Sequence, residues 1–376
     1  MELRLGLDLL FLVPGETGGR EAYARELLLA LRETVPALHV TTFLNRETAA
    51  TGPGWWADAA DRAVVLRRVW ARRAAPWAYG EAIGLARAAA AARVDVLHSP
   101  ANLGPAWGPF ARVLTLHDLM YRRQEDLVGR VPRLGTDAVL VPAARRAHRV
   151  ITATEASRAE IVAELRLPRE RIAVIAHGAH PPPARTPRPI DTGGRPLLLA
   201  VGTNVPHKNH DALLAGLAAI APAQRPLLAI AGHDTEALAG RVAERGVTGD
   251  VRLYGAVDAG TLEDLYAAAR GYVTATRHEG FGLPVLEAML RGVPVAAADI
   301  PVLREVAGEA AAWFDPGDAD GTGAALAALA AGGGEVERRR APGLERAARY
   351  TWAATARRTF AVYEAARSTT TKTRFE

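Results

Sequence analysis

No cysteine occurs in the 376 residues, which excludes a disulfide framework, a thiolate metal site and a cysteine nucleophile. Lysine is almost absent as well: Lys208 and Lys372 are the only two, so 44 of the 46 basic residues are Arg. Retention of Lys208 in so Arg-biased a chain suits a site that needs a compact ammonium, although chance survival remains the alternative. No stretch approaches the roughly 20 uninterrupted apolar residues of a membrane-spanning helix. The N-terminal run MELRLGLDLLFLVPGE is broken by Arg4, Asp8 and Pro14 and has no basic leader or small-residue cleavage site. It therefore reads as a first buried strand of a cytoplasmic protein. Basic charge is not concentrated either. Residues 1–190 hold 26 Arg against 19 acids (+7), and residues 191–376 hold 20 basic against 22 acidic (−2). With no helix-turn-helix, zinc-finger or RNP pattern, nucleic acid is not an expected partner.

What is present is an α/β rhythm. Apolar residues make up 49% of the chain and charged residues 23%, an ordinary globular balance. The length favours two domains. Short apolar runs alternate with helical patterns, as parallel sheets with crossover helices require. In the first half these runs are LRLGLDLLFL, HVTTFL, DVLHS, RVLTLHD, RVITAT and IAVIAH. In the second they are PLLLAVG, LLAIAG, VRLYG, GYVTAT, VPVAAAD and AAWFD. Tyr23, Leu27 and Leu31 recur at helical spacing and predict an amphipathic helix over residues 19–34. The expected organisation is a first domain over 1–180, a Pro- and Gly-rich linker over 181–196 and a second domain over 197–350. A helix over 351–367 returns to the first domain through Trp352, Phe360 and Tyr363, and a polar tail covers 368–376.

The strongest chemical signal is Arg277-His278-Glu279-Gly280-Phe281-Gly282-Leu283-Pro284-Val285-Leu286-Glu287, placed after the run GYVTAT. Pro284 fits the first helical turn, and Gly280 and Gly282 allow close approach of the backbone to a ligand. The result is an open helix N-terminus at the carboxyl end of a parallel strand, where a diphosphate can bind. Carboxylates at Glu279 and Glu287 can each accept from hydroxyl donors, so the pair suits the two ends of a sugar nucleotide. A second junction, Gly202-Thr203-Asn204-Val205-Pro206-His207-Lys208, follows PLLLAV and brings an ammonium to the same anion. Neither segment has the glycine spacing of a triphosphatase loop or a dinucleotide fingerprint.

In the first half, Gly15, Gly18 and Gly19 read either as a backbone cradle or as a tight turn before the first helix. His98, Asn102, His117 and Asp118 stand at strand carboxyl ends, with His117 the leading catalytic candidate and the others on the acceptor side. Asp318-Ala319-Asp320 has metal-binding DxD spacing but precedes an Ala/Leu helical run, so helix capping is the cheaper explanation. Metal independence is expected, with no His/Asp cluster to hold an ion. Residues 55–77 interleave Trp55, Trp56, Trp70 and Trp77 with five Arg. They read either as a helix with buried Trp or as a peripheral contact with anionic lipid at the inner membrane face.

The segments GETGGREAYARELLLAL, DVLHSPANLGP, VLTLHDL, RVITATEASRAEI, RIAVIAHGAH, VGTNVPHKN, EGFGLPVLEAM and TWAATARRTFAVYEAA, in this order, resemble the family-4 retaining glycosyltransferases over nearly the whole chain. That resemblance implies the GT-B architecture: two Rossmann-like, doubly wound domains facing a cleft, with a C-terminal helix crossing back to the first. It implies that a nucleotide diphosphate sugar is the co-substrate, with no other cofactor. Residue by residue, Glu279 would contact hydroxyls of the transferred sugar, and Phe281, Gly282 and Leu283 would offer backbone amides. Glu287 would bind the ribose diol and Lys208 the diphosphate. Gly202, Thr203, Arg277 and Gly280 would complete the donor surface. Gly18 and Gly19 would line the first-domain side, with His117 beside the sugar. Retention in the family is explained by same-face attack, the leaving phosphate taking the acceptor proton, unlike the two-carboxylate scheme of glycosidases. The chain departs from the family at His207 and near Thr203, where members carry Arg, with Arg277 as the compensating candidate, and at His177-Gly178 in place of Asn-Gly.

Mannose is the first expectation for the sugar and guanosine for the base, with uridine or thymidine next. The acceptor is expected to be a glycan, a lipid-linked saccharide or a small molecule. A nucleotide-sugar epimerase or hydrolase, or a non-catalytic sugar-nucleotide-binding subunit, are the rival readings.

Overall fold

The computed structural model describes residues 2–123 and 130–372. Two compact units form, one from the residues up to Gly178 together with those from Thr351 onward, the other from Ala179 to Tyr350. The first holds a parallel sheet of β1 (Arg4–Leu9), β2 (His39–Asn45), β3 (Arg62–Leu66), β4 (Val96–Ser99), β5 (Ala111–Thr115), β6 (Arg149–Thr152) and β7 (Ile172–Val174). Their order is β3-β2-β1-β4-β5-β6-β7. The second holds β8 (Leu197–Val201), β9 (Leu227–Ala231), β10 (Val251–Gly255), β11 (Ala269–Thr274), β12 (Val295–Ala298) and β13 (Ala311–Phe314). Here the order is β10-β9-β8-β11-β12-β13, again all parallel.

These strands read as unbroken apolar runs because helices cover both faces of a parallel sheet. Leu5, Leu7 and Leu9 of β1 are all 0% exposed, each contributing about 1.5–3 kcal/mol of burial. Flanking helices include α1 (Gly19–Thr34), α2 (His210–Ala219), α3 (Ala259–Ala268), α4 (Leu283–Leu290) and α5 (Trp352–Lys372). The stripe Tyr23, Leu27 and Leu31 is buried in α1 as the periodicity predicts. The apolar face of α5 finds its partner inside the first unit, where Trp352 and Tyr363 join the core built on β1 and α1.

In each sheet the chain leaves the central strand in one direction and returns on its other side. The two switch points fall between β1 and β4 and between β8 and β11. Loops at the carboxyl ends of such neighbours diverge to opposite faces and leave a crevice there.

Three segments differ from expectation. Residues 55–77 do not form one helix: a turn at Trp55–Asp58 leads into edge strand β3, and helix resumes at Ala74–Tyr79. The β-branched pair Val64-Val65 pairs with β2, which overrides a helical reading. Trp56 is buried, Trp55 packs against the same core, and Trp77 donates to buried Glu81 at 2.8 Å. Three of the four tryptophans are thus spent inside the unit.

The Pro-rich segment over 181–196 is likewise no free tether. Arg185 pairs with the carboxylate of buried Asp264, and the Arg188 amide donates to the same group at 2.7 Å, strapping the segment to α3. Finally, α5 runs past residue 367 to Lys372, with Ser368, Thr369 and Thr370 bonding back to carbonyls four residues earlier. Residues 373–376 of the expected tail lie outside the described residues.

Candidate functional site

The two strongest motifs occupy the loops that follow β8 and β11, on either side of the second switch point. After β8, the chain passes Gly202 and Thr203 and makes one tight turn at Pro206–Lys208. It reverses at Asn209, whose φ of 53° lets α2 begin in a new direction. After β11, residues Ala275–Phe281 lead to Gly282, whose φ of 94° lies in the left-handed region that glycine tolerates, and α4 starts at Leu283.

Three hydrogen bonds bind the loops together. The Arg277 amide and the Thr276 hydroxyl both donate to the His207 carbonyl, at 2.8 and 3.1 Å, and the Asn209 amide group donates to the Ala275 carbonyl at 3.1 Å. Beneath them Gly202 donates to the Ala231 carbonyl at 2.9 Å. A Cβ on Gly232 would come within 2.2 Å of the Gly202 carbonyl oxygen, so the close approach of these loops requires glycine there.

This stitching brings Lys208 Nζ to 2.7 Å from Glu279 Oε1, with the side chains 18% and 14% exposed. The lysine stem lies against Gly202, where an added Cβ would meet it at 3.2 Å. The sequence reading sent the ammonium and the carboxylate to different parts of one ligand; the structure pairs them with each other. Arg277 is exposed, and among the described residues its side chain makes no ion pair. Thr203 is exposed and Gly280 half-buried, while Phe281 turns inward, 4% exposed, against Tyr350 at 5.9 Å. At the start of α4, Pro284 has no N–H and the Val285 amide donates to the Gly282 carbonyl at 3.0 Å.

Glu287 lies one turn into α4, half-buried, and accepts from the Tyr266 hydroxyl at 3.1 Å. Burial raises its pKa, against the pull of Arg291 and Tyr266. Both Glu279 and Glu287 act on the buried phenol of Tyr272, raised first by burial and then by those two charges. Tyr266, Arg291 and Glu263 escaped sequence reading, because a Tyr at helical spacing looks like core.

At the first switch point the picture differs. Gly18 precedes α1 with φ 61°, and Gly15, Gly18 and Gly19 each face open space in which a Cβ would meet nothing within 4 Å. His117 is 8% exposed; its Nε2 bonds the Pro100 carbonyl at 2.8 Å and burial lowers its pKa, so it stands as a neutral ring donating from Nε2. Asn102 holds the loop, accepting from the His117 amide at 2.8 Å and donating to the Asp118 carbonyl at 3.4 Å. Asp118 accepts from the Met120 amide at 3.0 Å.

His98 corrects the acceptor-side reading. It is 0% exposed, its Nδ1 bonds the Tyr363 hydroxyl at 2.7 Å and its Nε2 the Thr115 hydroxyl at 2.8 Å. Burial drives its pKa down to about 3, so it ties α5 to the sheet as a neutral core residue. Asp318 caps the following helix by accepting from the Asp320 amide at 3.0 Å. Among the described residues, no group of three or more metal-ligating side chains is arranged to hold an ion, and no helix is long and apolar enough to cross a membrane.

Residues 18–178 match the family described as "Glycosyl transferase 4-like domain", and residues 187–343 match "Glycosyl transferases group 1". The O-antigen chain mannosyltransferase B of Escherichia coli is 36% identical over 159 residues, 41% of this chain and 42% of that protein. The D-inositol 3-phosphate glycosyltransferase of Thermobispora bispora is 31% identical over 242 residues, 58% of this chain and 56% of its own length. The chain therefore spans about half the length, or less, of these curated relatives. Among solved structures, sucrose-phosphate synthase of Thermosynechococcus elongatus superposes with a TM-score of 0.76 at 20% identity, covering 96% of this chain and 98% of that one. The lipopolysaccharide glycosyltransferase WaaG does so at 0.73 and 13% identity, over 94% and 98%. On the two consecutive family matches and the paired doubly wound sheets, the chain belongs to the family-4 glycosyltransferases of the GT-B fold.

Proposed function

We propose that the protein transfers a hexose, mannose first, from a nucleoside diphosphate sugar to a hydroxyl acceptor with retention of anomeric configuration and without a metal ion. The observation that carries this reading is the Lys208–Glu279 pair, 2.7 Å apart beside the start of α4. A diphosphate arriving there takes over the ammonium and the first-turn amides, and Glu279 turns to the hydroxyls of the sugar. Gly202, Thr203 and Arg277 border the same anion. In the transfer, the acceptor oxygen bonds to the anomeric carbon as the bond from that carbon to the diphosphate oxygen breaks. The electron pair stays on the leaving phosphate, which takes the acceptor proton, and Lys208 stabilises the growing negative charge. A fixed ammonium doing this work removes the need for a divalent cation. Glu287 holds the ribose diol.

Mannose comes first because several named relatives are mannosyltransferases. Guanosine is the leading base, and uridine the competitor, since a fold neighbour, HepE of Anabaena, was solved with UDP. We assign acceptor recognition to the first unit, through Gly18, Gly19 and His117, with the acceptor a glycan, a lipid-linked saccharide or a small molecule. The exposed Arg67, Arg68, Arg72 and Arg73 suit an anionic inner-membrane surface for a lipid-linked one.

Thermal-shift measurements with GDP, UDP, dTDP and ADP, followed by turnover of the matching sugar nucleotides, test the reading. The expected result is release of nucleoside diphosphate only when an acceptor is present. Release without acceptor would make the protein a hydrolase, and tight nucleotide binding with no turnover a binding subunit. Glu287→Ala is expected to weaken nucleotide affinity; equal affinity would remove Glu287 from the site.

A further inference from the structure

Glu287 is held by a second layer. Tyr266 on α3 is 1% exposed and donates its hydroxyl to Glu287 Oε2 at 3.1 Å, with the Pro284 carbonyl as a longer partner at 3.4 Å. Its ring cannot swing away. The Arg291 guanidinium lies over it, 4.9 Å from the centroid, and Tyr272 stacks on it at 6.4 Å. Arg291 is itself anchored, donating to the Glu287 carbonyl at 2.9 Å and to both oxygens of Glu263. Glu287 Oε1 has no donor among the described residues.

A vicinal diol presents two O–H donors about 2.7 Å apart, so a carboxylate reading both must be ionised and held in one plane. We propose that Tyr266 is a positioning residue for the ribose diol. By occupying one lone pair of Glu287 Oε2 it leaves Oε1 and the other lone pair aimed at two hydroxyls, and so sets a preference for ribonucleoside over deoxyribonucleoside diphosphates. The inference rests on Glu287 being the ribose carboxylate. Charge supports the geometry: burial pushes Glu287 toward protonation, Arg291, Tyr266 and His180 oppose it, and Glu263 adds to it. Losing the phenol therefore loosens the carboxylate and moves its protonation to higher pH.

The test uses the full chain and titrates GDP, 2′-deoxy-GDP, UDP and 2′-deoxy-UDP by calorimetry across pH 5–8. The parent is expected to prefer the ribose form by tenfold or more, the cost of a polar site left unmatched. Tyr266→Phe should weaken ribose-form binding about tenfold and the deoxy form no more than about twofold, with the low-pH loss of binding starting at higher pH. Glu287→Gln should abolish the preference altogether. A Glu287→Gln protein that still prefers ribose would refute the ribose assignment itself. If that variant loses the preference but Tyr266→Phe keeps both preference and pH limb, Tyr266 is mere packing and the inference falls. Should Tyr266→Phe fail to fold, Arg291→Lys decides. That variant keeps a cation but loses the planar clamp on the ring, so an undiminished preference there would equally overturn the proposal.

Discussion

The two switch points carry the same strand pattern and use their polar residues in opposite ways. Around β8 and β11 the loops are stitched to each other, and the charges they present, Lys208 and Glu279, pair with one another while still part-exposed. Around β1 and β4 the polar groups have been drawn inward. His98 and His117 are sealed and neutral, Asn102 serves the loop, and Asp8 and Glu81 are both 1% exposed. Gly15, Gly18 and Gly19 face outward there, beside the exposed Glu16 and Arg20. An exchangeable ion pair suits an anion that comes and goes. The two crevices thus differ in what they show: a part-exposed ion pair at one, sealed and neutral polar side chains at the other.

The sharpest way to break this contrast is Lys208→Ala. Turnover is expected to fall by about 10²-fold or more, as for other removed transition-state donors, with melting temperature little changed. Steady-state kinetics showing unaltered turnover would remove Lys208 from the chemistry.

The buried acids of the first unit give the next effect. Asp8 is raised to about 6 by burial, and Glu81 well above its usual value by burial and by Asp8, the two sharing a hydrogen bond. Well below pH 4 the native protein and the unfolded chain both hold these protons. As pH rises, the unfolded chain releases them first, so stability is lost through pH 6 and above. Because the buried neutral histidines change stability in the opposite direction over this range, the effect is read as a difference: from pH 5 to 8 the melting temperature of the parent should fall relative to that of Glu81→Gln, which needs no proton to donate to Asp8. Parallel profiles for parent and variant would dissolve the shared-proton pair.

The smallest effect compares two glycines of positive φ. Gly18→Ala should cost about 1 kcal/mol of backbone strain alone. Gly282→Ala adds a Cβ 2.6 Å from Leu303, so about 2 kcal/mol is expected there. Urea unfolding of both variants measures the difference, and a larger loss at Gly18 would mean that its loop is packed after all.

Much of this molecule could be read in advance because the relevant signals are local. Apolar runs marked the strands, the spacing of Tyr23, Leu27 and Leu31 marked α1, and Gly282 with Pro284 marked the start of α4. Misreadings arose where tertiary contacts outweigh local preference. Residues 55–77 looked helical by their Trp and Arg content, yet pairing with β2 draws Arg62–Leu66 into an edge strand. His98 looked like a loop-end polar group, but α5 returns to cover it across 265 residues of sequence. The segment over 181–196 reads as a tether until Asp264, far along the chain, binds it.

By itself the sequence determined the class of structure and the rhythm of the thirteen strands among the described residues, apart from edge strand β3. Those properties depend on burial and backbone preference over a few residues. Only the tertiary structure decided that Lys208 meets Glu279 across 71 residues, that Tyr266 grips Glu287, and that Asp8 and Glu81 share a dry pocket. Coulomb and hydrogen-bond energies act over a few ångströms of space, and separation along the chain says nothing about that distance until the sheets are assembled.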